Sequence, residues 1–193
     1  MIMDTLNDPD KEGQMSLEKC ISERQSRRSF SSKNINQQKI SQLLWAGQGM
    51  INGHRASPSA GATYPLTLYI IKNEDELLKY NPQKHALESK KKRRGLNREI
   101  AQAAFSQMFI AQAPIILIIC ANYHRTTQRY DERGKRYVLI EVGHCAQNIL
   151  LEATALNLVS VPIGAFLDAT LKDTLDLPED MQPIYILPIG YPQ

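Results

Sequence analysis

The feature that most constrains the fold is an unbroken apolar run, PIILIICA, at residues 114–121. A strand with one face in water alternates apolar and polar side chains, whereas this run is apolar at every position and rich in isoleucine. The pattern is typical of a central strand that is covered on both faces. The rest of the chain must therefore supply packed layers for two sides of one sheet.

Helical and extended patterns surround this run without regular alternation. Periodic apolar positions predict helices over residues 16–24, 36–47, 97–110, 136–156 and 168–177, with Ser16, Asn36 and Asp168 as caps. Strands are predicted over residues 65–72 and 184–189, and a short strand or extended loop over residues 159–166. YNPQKHAL (80–87) indicates a turn between two short extended pieces. Because no regular β-α-β repetition is visible, the sequence predicts an α+β fold.

The longest helical pattern, residues 136–156, is apolar on two sides. One stripe comprises Val138, Val142, Cys145, Ile149 and Ala153, and the other comprises Ile140, Gly143, Ala146 and Leu150. A helix that is apolar on two sides is buried on two sides. In a chain of 193 residues, we expect the second side to be buried against another subunit.

Length and composition indicate one globular domain. Hydrophobic residues make up 42% of the chain and charged residues 22%, which is ordinary for such a protein. We expect residues 1–15, which are polar and acidic and lack a signal-peptide pattern, to form a flexible segment, and residues 16–193 to form the domain. No apolar run is long enough to cross a bilayer, so we expect a cytoplasmic protein without membrane contact.

The three cysteines and one Glu-x-x-His pair raise the question of a metal site. Cys20, Cys120 and Cys145 lie far apart in apolar stretches, which favours buried thiols over disulfides or zinc binding. Glu141 and His144 lie in the predicted helix 136–156, but a carboxylate-bridged di-iron site requires a second such pair and further Glu residues. We therefore expect no metal, and expect these polar groups to satisfy one another or backbone groups.

Positive charge is concentrated in residues 84–98, which we call the basic segment. It holds seven Lys or Arg against one Glu, with Lys90–Arg94 as an unbroken run. Such a stretch can contact nucleic acid or an acidic partner. The absence of interleaved aromatic residues favours a solvated loop and argues against nucleic acid.

A second basic stretch, RQSRRSF at residues 24–30, is called the arginine segment below. In an extended or turn conformation, Arg24, Ser26 and Arg28 would project to the same side. Two guanidiniums and a hydroxyl on one side suit a phosphate monoester, because Arg offers bidentate charged hydrogen bonds and Ser a short neutral one. A solvated basic turn is the alternative.

Two further stretches are rich in small residues. PSAGATYP at residues 58–65, called the small-residue loop, precedes a strand, and VPIGAF at residues 161–166 leaves the N–H groups of Gly164 and Ala165 uncovered. Small residues are needed where backbone lies flat against something else, so the loop could pack on a flat aromatic ligand. An ordinary glycine-containing loop is the alternative, and neither a GxGxxG nor a P-loop fingerprint occurs in the chain.

In their order along the chain, these motifs resemble the nitroreductase family, and most closely its SagB-type dehydrogenase branch. The matching segments are RQSRRSF, LLWAGQGM, PSAGATYP, YNPQKHAL, RYDERGKRYVLIEVGHCAQNILLEATALNL, VPIGAF and LPIGYP, within residues 20–192. The resemblance implies a mixed, mostly antiparallel sheet flanked by helices, in an intertwined homodimer. It also implies FMN at the subunit interface, and ping-pong transfer of two electrons between a donor such as NAD(P)H and a small-molecule substrate.

The resemblance further implies a set of cofactor contacts. Arg24, Ser26 and Arg28 would hold the FMN phosphate and ribityl chain, with Gln25 near the pyrimidine edge of the ring. The small-residue loop would lie beside the isoalloxazine, and backbone amides of VPIGAF would face the flavin N5, where a fixed donor tunes hydride acceptance. The residues concerned are Arg24, Gln25, Ser26, Arg28, Pro58, Ser59, Ala60, Gly61, Ile163, Gly164 and Ala165. Part of the loop contact would come from the other subunit.

The sequence also departs from the family pattern. Many members have a C-terminal basic residue that reaches the phosphate, whereas this sequence ends in Tyr191-Pro192-Gln193, so we expect that charge to be absent or supplied elsewhere. In the loop before the strand, this chain has Ala62 where other branches of the family have Asn. Azoline-oxidising relatives use a Lys-Tyr pair, and this chain has Arg129-Tyr130 at the matching place. Because Arg cannot accept a proton near neutral pH, Tyr130 is the candidate catalytic residue. It would act as a proton relay, or it is simply a packed tyrosine.

Three functional hypotheses follow. The first is an FMN-dependent oxidoreductase acting on a small molecule. The second is a dehydrogenase acting on a heterocycle in a peptide natural product, with the basic segment attracting an acidic peptide. The third is a non-catalytic protein of the same fold that uses the basic segment for nucleic acid, which predicts no bound flavin and strongly salt-dependent binding.

Overall fold

One seven-stranded sheet forms the centre of the computed structural model, which describes residues 3–73 and 75–193. The strands are β1 (Met3–Thr5), β2 (Met50–Ile51), β3 (His54–Arg55), β4 (Leu66–Lys72), β5 (Glu76–Asn81), β6 (Ala86–Lys92), β7 (Ile115–Ala121), β8 (Val159–Ser160) and β9 (Gln182–Gly190). Strands β2 and β3 form a separate hairpin, and the others lie in the order β1-β6-β5-β4-β7-β9-β8. All neighbouring strands are antiparallel, which confirms the α+β class and the mostly antiparallel sheet.

The isoleucine-rich run forms β7, which is buried at every position between β4 and β9. Ile115, Leu117 and Ile119 enter the core on one side of the sheet. Ile116 and Ile118 enter the core on the other side. The predicted central strand with two covered faces is therefore confirmed.

Six α-helices occur in the described part of the chain. They are α1 (Leu17–Glu23), α2 (Gln37–Gln48), α3 (Leu96–Ala103), α4 (His124–Tyr130), α5 (Arg133–Ala155) and α6 (Asp168–Thr174). Helices α2 and α5 pack on one face, and α3 and α6 on the other. Ser16 and Asn36 cap α1 and α2 as predicted, each accepting a backbone N–H bond. Within residues 3–73 and 75–193, none of these helices has the length and apolar character that a membrane crossing requires.

Three of the helix predictions need correction. Helix α3 ends at Ala103 instead of residue 110, because Phe105 and Ser106 adopt φ angles of 55° and 58° and turn the chain. Helix α6 begins at Asp168, which is therefore its first residue and not its cap. The predicted helix 136–156 begins at Arg133 and is preceded by α4, which the sequence did not indicate.

The N-terminal segment is more firmly packed than the flexible stretch expected for residues 1–15. Strand β1 pairs with β6, and Leu6 is only 5% exposed in the core that α2 and α5 cover. The backbone of Asp10 exchanges two hydrogen bonds with the Gln42 amide, at 2.9 and 2.7 Å. The polar composition of residues 1–15 does not indicate this packing, because backbone and amide groups form most of the hydrogen bonds that hold the segment. Residues 1 and 2 lie outside the described part.

The basic segment is largely regular structure, so the prediction of a solvated loop is wrong for its centre. Residues 90–92 complete β6, and the Arg93 guanidinium pairs with the Glu99 carboxylate. Lys90, Lys92 and Arg94 nevertheless remain exposed. Their charges are therefore presented from the end of a strand and the turn after it.

Candidate functional site

The arginine segment follows α1 and is fixed against the edge of the sheet at β8. Ser26 forms an isolated parallel bridge with Ser160, whose carbonyl accepts the Arg27 N–H at 3.1 Å. Phe30 is buried and anchors the end of the segment. The fixed backbone leaves these predicted site residues accessible: Gln25, Ser26, Arg28 and, half-buried, Arg24.

The arginines of this segment do not converge as their alternation suggests. Arg24 and Arg27 line a cavity of about 620 Å³ against the C-terminal end of α5, together with Gln25, Thr154, Asn157 and Ser160. The Arg28 guanidinium instead lies 6.0 Å from the centre of the Phe109 ring. Among the described residues, no carboxylate forms an ion pair with any of these arginines, so their charges are available to an anion.

The VPIGAF stretch exposes backbone beside residues 107–109, the segment whose Phe109 ring lies near Arg28. The Ala165 carbonyl accepts a hydrogen bond of 3.4 Å from the Gln107 amide, and Gln107 is two residues from Phe109. Gly164 and Ala165 are exposed, and their N–H groups have no backbone partner within the described chain. A Cβ added to Gly164 would come no closer than 3.6 Å to Tyr185. This surface can therefore meet a flat ligand.

Ile163 is placed differently from its two neighbours. Its side chain is 5% exposed and belongs to the core beneath α3 and α6. Its N–H and carbonyl bond Ile186 at 2.9 and 3.0 Å. Ile163 therefore fixes the base of the exposed turn and has no free backbone N–H of its own for a ligand.

The small-residue loop connects the β2–β3 hairpin to β4 through a tight left-handed turn. Gly61, Ala62 and Tyr64 have φ angles of 58°, 53° and 45°. The Ser59 hydroxyl accepts the Tyr64 N–H at 2.9 Å and so joins the two sides of the turn. Pro58 and Gly61 are exposed, and Ser59 and Ala60 are half-buried.

Helix α4 holds this loop from one side. Arg129 donates to the Gly61 carbonyl at 3.0 Å, and the hydroxyls of Thr63 and Thr126 lie 2.8 Å apart. A Cβ on Gly61 would stand 2.5 Å from the Tyr130 hydroxyl. The absence of a side chain at Gly61 is therefore explained within the chain itself, without a ligand.

A buried carboxyl group lies beneath the same loop. Glu141 of α5 is 2% exposed, and burial raises its pKa to about 7, although Ser59 and the Arg55 guanidinium act in the opposite direction. One turn farther along, burial raises the pKa of Cys145 to about 12. His144 is exposed whereas Glu141 is buried, so these two side chains point to different surroundings. The described residues contain no cluster of three or more side chains that could hold a metal ion.

The two groups of site residues lie toward different ends of α5. Glu141 is beside the small-residue loop, whereas Thr154 lines the cavity of Arg24 and Arg27. At about 1.5 Å of rise per residue, these two positions are about 20 Å apart along the helix axis. A single chain therefore does not bring the loop to the arginine cavity.

Sequence reasoning missed several residues that the geometry places at these sites. The alternation of Arg24, Ser26 and Arg28 gives Arg27 no place on the predicted face. Ser160 carries a buried hydroxyl without a hydrogen-bond partner among the described residues, yet it appears in the sequence as an ordinary strand serine. Glu141 stands out in the sequence only beside its helix neighbour His144, and no local signal connects it to Ser59.

The chain is similar to known proteins along most of its length. The nitroreductase family model matches residues 21–191. A nitroreductase-family protein of Methanocaldococcus jannaschii is 41% identical over 189 residues, which are 94% of this chain and 93% of that protein. A nitroreductase-family crystal structure from Ralstonia eutropha has a TM-score of 0.88 and 27% identity, covering 99% of this chain and 90% of that one.

A more distant relative carries a named activity. The FMN reductase [NAD(P)H] of Bacillus subtilis is 25% identical over 188 residues, which are 90% of this chain and 65% of that protein. The family match spans the arginine segment, the small-residue loop and the exposed VPIGAF turn. The chain therefore belongs to the nitroreductase family.

Proposed function

We propose that this protein is an FMN-dependent oxidoreductase, which passes two electrons from NADH, NADPH or another donor to a small molecule in ping-pong fashion. The observation that carries the proposal is the exposed Gly164–Ala165 backbone, whose N–H groups are uncovered and which lies against residues 107–109, the segment whose Phe109 ring lies 6.0 Å from the Arg28 guanidinium. Bound FMN would supply the two-electron chemistry, and the protein would supply orientation and electrostatics. The similarity to an FMN reductase that uses NAD(P)H supports the same assignment.

The residues present suit such a cofactor. Arg24 and Arg28 carry charges that no described carboxylate neutralises, and guanidiniums bind phosphate bidentately. Gly164 and Ala165 offer backbone N–H donors on a surface without bulky side chains. Arg27 lines the cavity together with Arg24 and is a further candidate for a phosphate contact.

A homodimer is part of the proposal. The small-residue loop lies about 20 Å from the arginine cavity along α5, so a second copy is needed to bring Pro58–Gly61 to the arginines of its partner. Leu139 and Ile140 on α5 are 52% and 46% exposed, which leaves apolar surface for such a contact. Ala146 and Leu150, which belong with Ile140 to the second apolar stripe of α5, are already buried within the chain.

Tyr130 is proposed as a proton relay at the same site. Its hydroxyl lies at the Gly61 turn, and its ring packs edge-on against Tyr137, with 5.1 Å between the ring centres. Arg129, beside it, donates a hydrogen bond to the Gly61 carbonyl, and its guanidinium offers donors but no acceptor. Tyr130 is therefore the side chain of this pair that can exchange a proton.

The proposal is tested by the visible spectrum of the purified protein and the mass of any cofactor released on denaturation. We expect yellow protein with about one FMN per chain. Arg28→Ala should weaken FMN binding about 10-fold, because a hydrogen bond to a charged group contributes about 1.5–3 kcal/mol. Arg94→Ala, which removes an exposed charge in the basic segment, is the matched control and should change nothing. Colourless protein that also refuses added FMN would overturn the proposal.

A second candidate is the SagB-type activity, dehydrogenation of a heterocycle in a peptide. The exposed charges of Lys90, Lys92 and Arg94 favour it, since they can attract an acidic peptide. Peptide binding that weakens steeply with salt would support this candidate. Rapid NAD(P)H oxidation with quinones or nitroaromatics, without any peptide, would count against it.

A further inference from the structure

A small polar cavity lies between the sheet, the β2–β3 hairpin and α4, and the proposed reaction gives it no role. Residues of β3, β4, β5, β6 and α4 line it, together with the last residue of α2. We call it the β4–β5 cavity; it shares no lining residue with the arginine cavity. Its volume is about 190 Å³. Pockets that enclose a drug-sized molecule usually measure about 300–1,000 Å³, so this one suits a small ligand or one end of a larger one.

Positive charge outweighs negative charge in the β4–β5 cavity. Arg55, Lys79 and Arg125 line it, whereas Glu88 is the one carboxylate among its described lining residues. The Glu88 carboxylate accepts a hydrogen bond of 2.8 Å from the Asn81 amide. Lys79 and Glu88 are register partners on β5 and β6, yet they form no ion pair. In the described part of the chain, no carboxylate forms an ion pair with any of the three cations.

Neutral groups hold the two arginines in place. Arg55 donates to the Gln48 carbonyl at 3.3 Å, and its guanidinium lies 5.5 Å from the centre of the Tyr64 ring. Arg125 donates to the Tyr64 carbonyl at 3.1 Å, so the cavity borders the small-residue loop. Burial lowers the pKa of the Arg55 guanidinium, and the charge of Arg125 acts in the same direction. Since a guanidinium has five N–H donors, both arginines keep donors for a ligand.

Gln48 adds a buried donor to the same cavity. Its side chain is 2% exposed, and its Nε2 atom has no hydrogen-bond partner among the described residues. Leaving a buried N–H donor unpaired is costly, and most such groups in folded proteins have a partner. An acceptor oxygen of a ligand is the kind of partner that this donor lacks.

We propose that the β4–β5 cavity binds a small oxyanion, a carboxylate or phosphate group, through Arg55, Arg125 and Lys79. Guanidiniums bind both groups bidentately, and the lysine ammonium adds a point charge. The ligand is a free inorganic anion or the acidic end of a small molecule whose remainder lies outside the cavity. The site is separate from the arginine segment, so the inference goes beyond the proposed function and does not depend on it.

The test is calorimetric titration of the purified protein at low salt with phosphate, sulfate and acetate as separate probes. Arg125→Gln should weaken anion binding about 10-fold, because it removes charged hydrogen bonds to the ligand. Lys79→Gln should weaken it by a smaller factor, since an ammonium contributes a less directional contact. Binding of phosphate and sulfate would identify an inorganic anion or a phosphate ester as the ligand, and binding of acetate alone would identify the carboxylate of an organic molecule.

Two controls locate the binding. Arg94→Gln removes an exposed cation just after β6 that does not line the cavity, and it should leave the affinity unchanged. Arg24→Gln removes a cation of the arginine cavity and should not alter the binding that Arg125→Gln weakens. Arg125 is exposed, so its variant should fold as the unaltered protein does, which urea unfolding checks.

Three results would overturn the site. The first is that the unaltered protein binds none of the three anions at millimolar concentrations. The second is that Arg24→Gln abolishes the binding while Arg125→Gln and Lys79→Gln leave it intact, because the anion then occupies the arginine cavity. The third is an equal loss in Arg94→Gln, which would indicate a general effect of surface charge. None of these results bears on FMN binding, which the visible spectrum tests separately.

Discussion

Two positions in the candidate site hold glycine for different physical reasons. Gly61 has a φ of 58°, and a Cβ there would stand 2.5 Å from the Tyr130 hydroxyl. Gly164 has open space around it, since a Cβ added there would be 3.6 Å from its nearest neighbour, an atom of the Tyr185 ring. The first glycine is required by the fold, whereas the second can be explained by a ligand.

Alanine substitution should separate these two roles. Gly61→Ala is expected to lower the free energy of unfolding by about 1–3 kcal/mol, because the left-handed conformation and the tyrosine both resist a side chain. Gly164→Ala should leave that free energy within about 0.5 kcal/mol and should weaken FMN binding several-fold. Urea unfolding and FMN titration of the two variants measure both effects. Normal FMN binding by Gly164→Ala would contradict a flavin packed on this turn.

For single residues, the sequence predicted which residue types lie at the candidate site better than it predicted the residues that they contact. The positions of Arg24 and Arg28 in an accessible segment, and of Ser59 and Gly61 in a tight loop, followed from local composition. The burial of Glu141 did not, because the helix that carries it meets the rest of the core only after folding. The same holds for Arg27 and Ser160, which come together from parts of the chain far apart in sequence.

Helices and strands with a clear hydrophobic pattern were predicted well. The continuous apolar run gave β7, and the side-chain caps at Ser16 and Asn36 gave the starts of α1 and α2. Helix α4 was missed because it carries no apolar stripe: Thr126 is its only buried residue. Its bonds go to the small-residue loop instead, a tertiary reason for helix formation that periodicity does not reveal.

Strand β1 and the residue after it are a second element that composition concealed. Leu6 is 5% exposed within the larger core, whereas Met3 is 38% exposed. Leu6→Ala should therefore lower the free energy of unfolding by about 2–4 kcal/mol, the usual cost of a cavity in a packed core. Met3→Ala is the matched control and should change it by less than about 0.5 kcal/mol. Equal, small effects in urea unfolding would show that the segment contributes little to the folded state.

At the scale of the whole molecule, the order of motifs along the chain was more informative than any single one. Each motif also fits an ordinary loop or turn, but the family arrangement requires all of them together, and it specified the antiparallel sheet and its helical layers. The amphipathic pattern of α5 indicated a second buried face. Only part of that stripe, Ile140 and Gly143, is exposed, because Ala146 and Leu150 pack within the chain.

The distance between the small-residue loop and the arginine cavity has a consequence for mixtures of defective proteins. If each site takes the loop from one subunit and the arginines of the cavity from the other, Arg24→Glu and Ala60→Glu damage different halves of the site. Refolding the two variants together would then produce hybrid dimers with one undamaged site each, so FMN binding should return to about a quarter of all sites. If one chain furnished both halves, every site in the mixture would carry a lesion, and the solution would stay colourless.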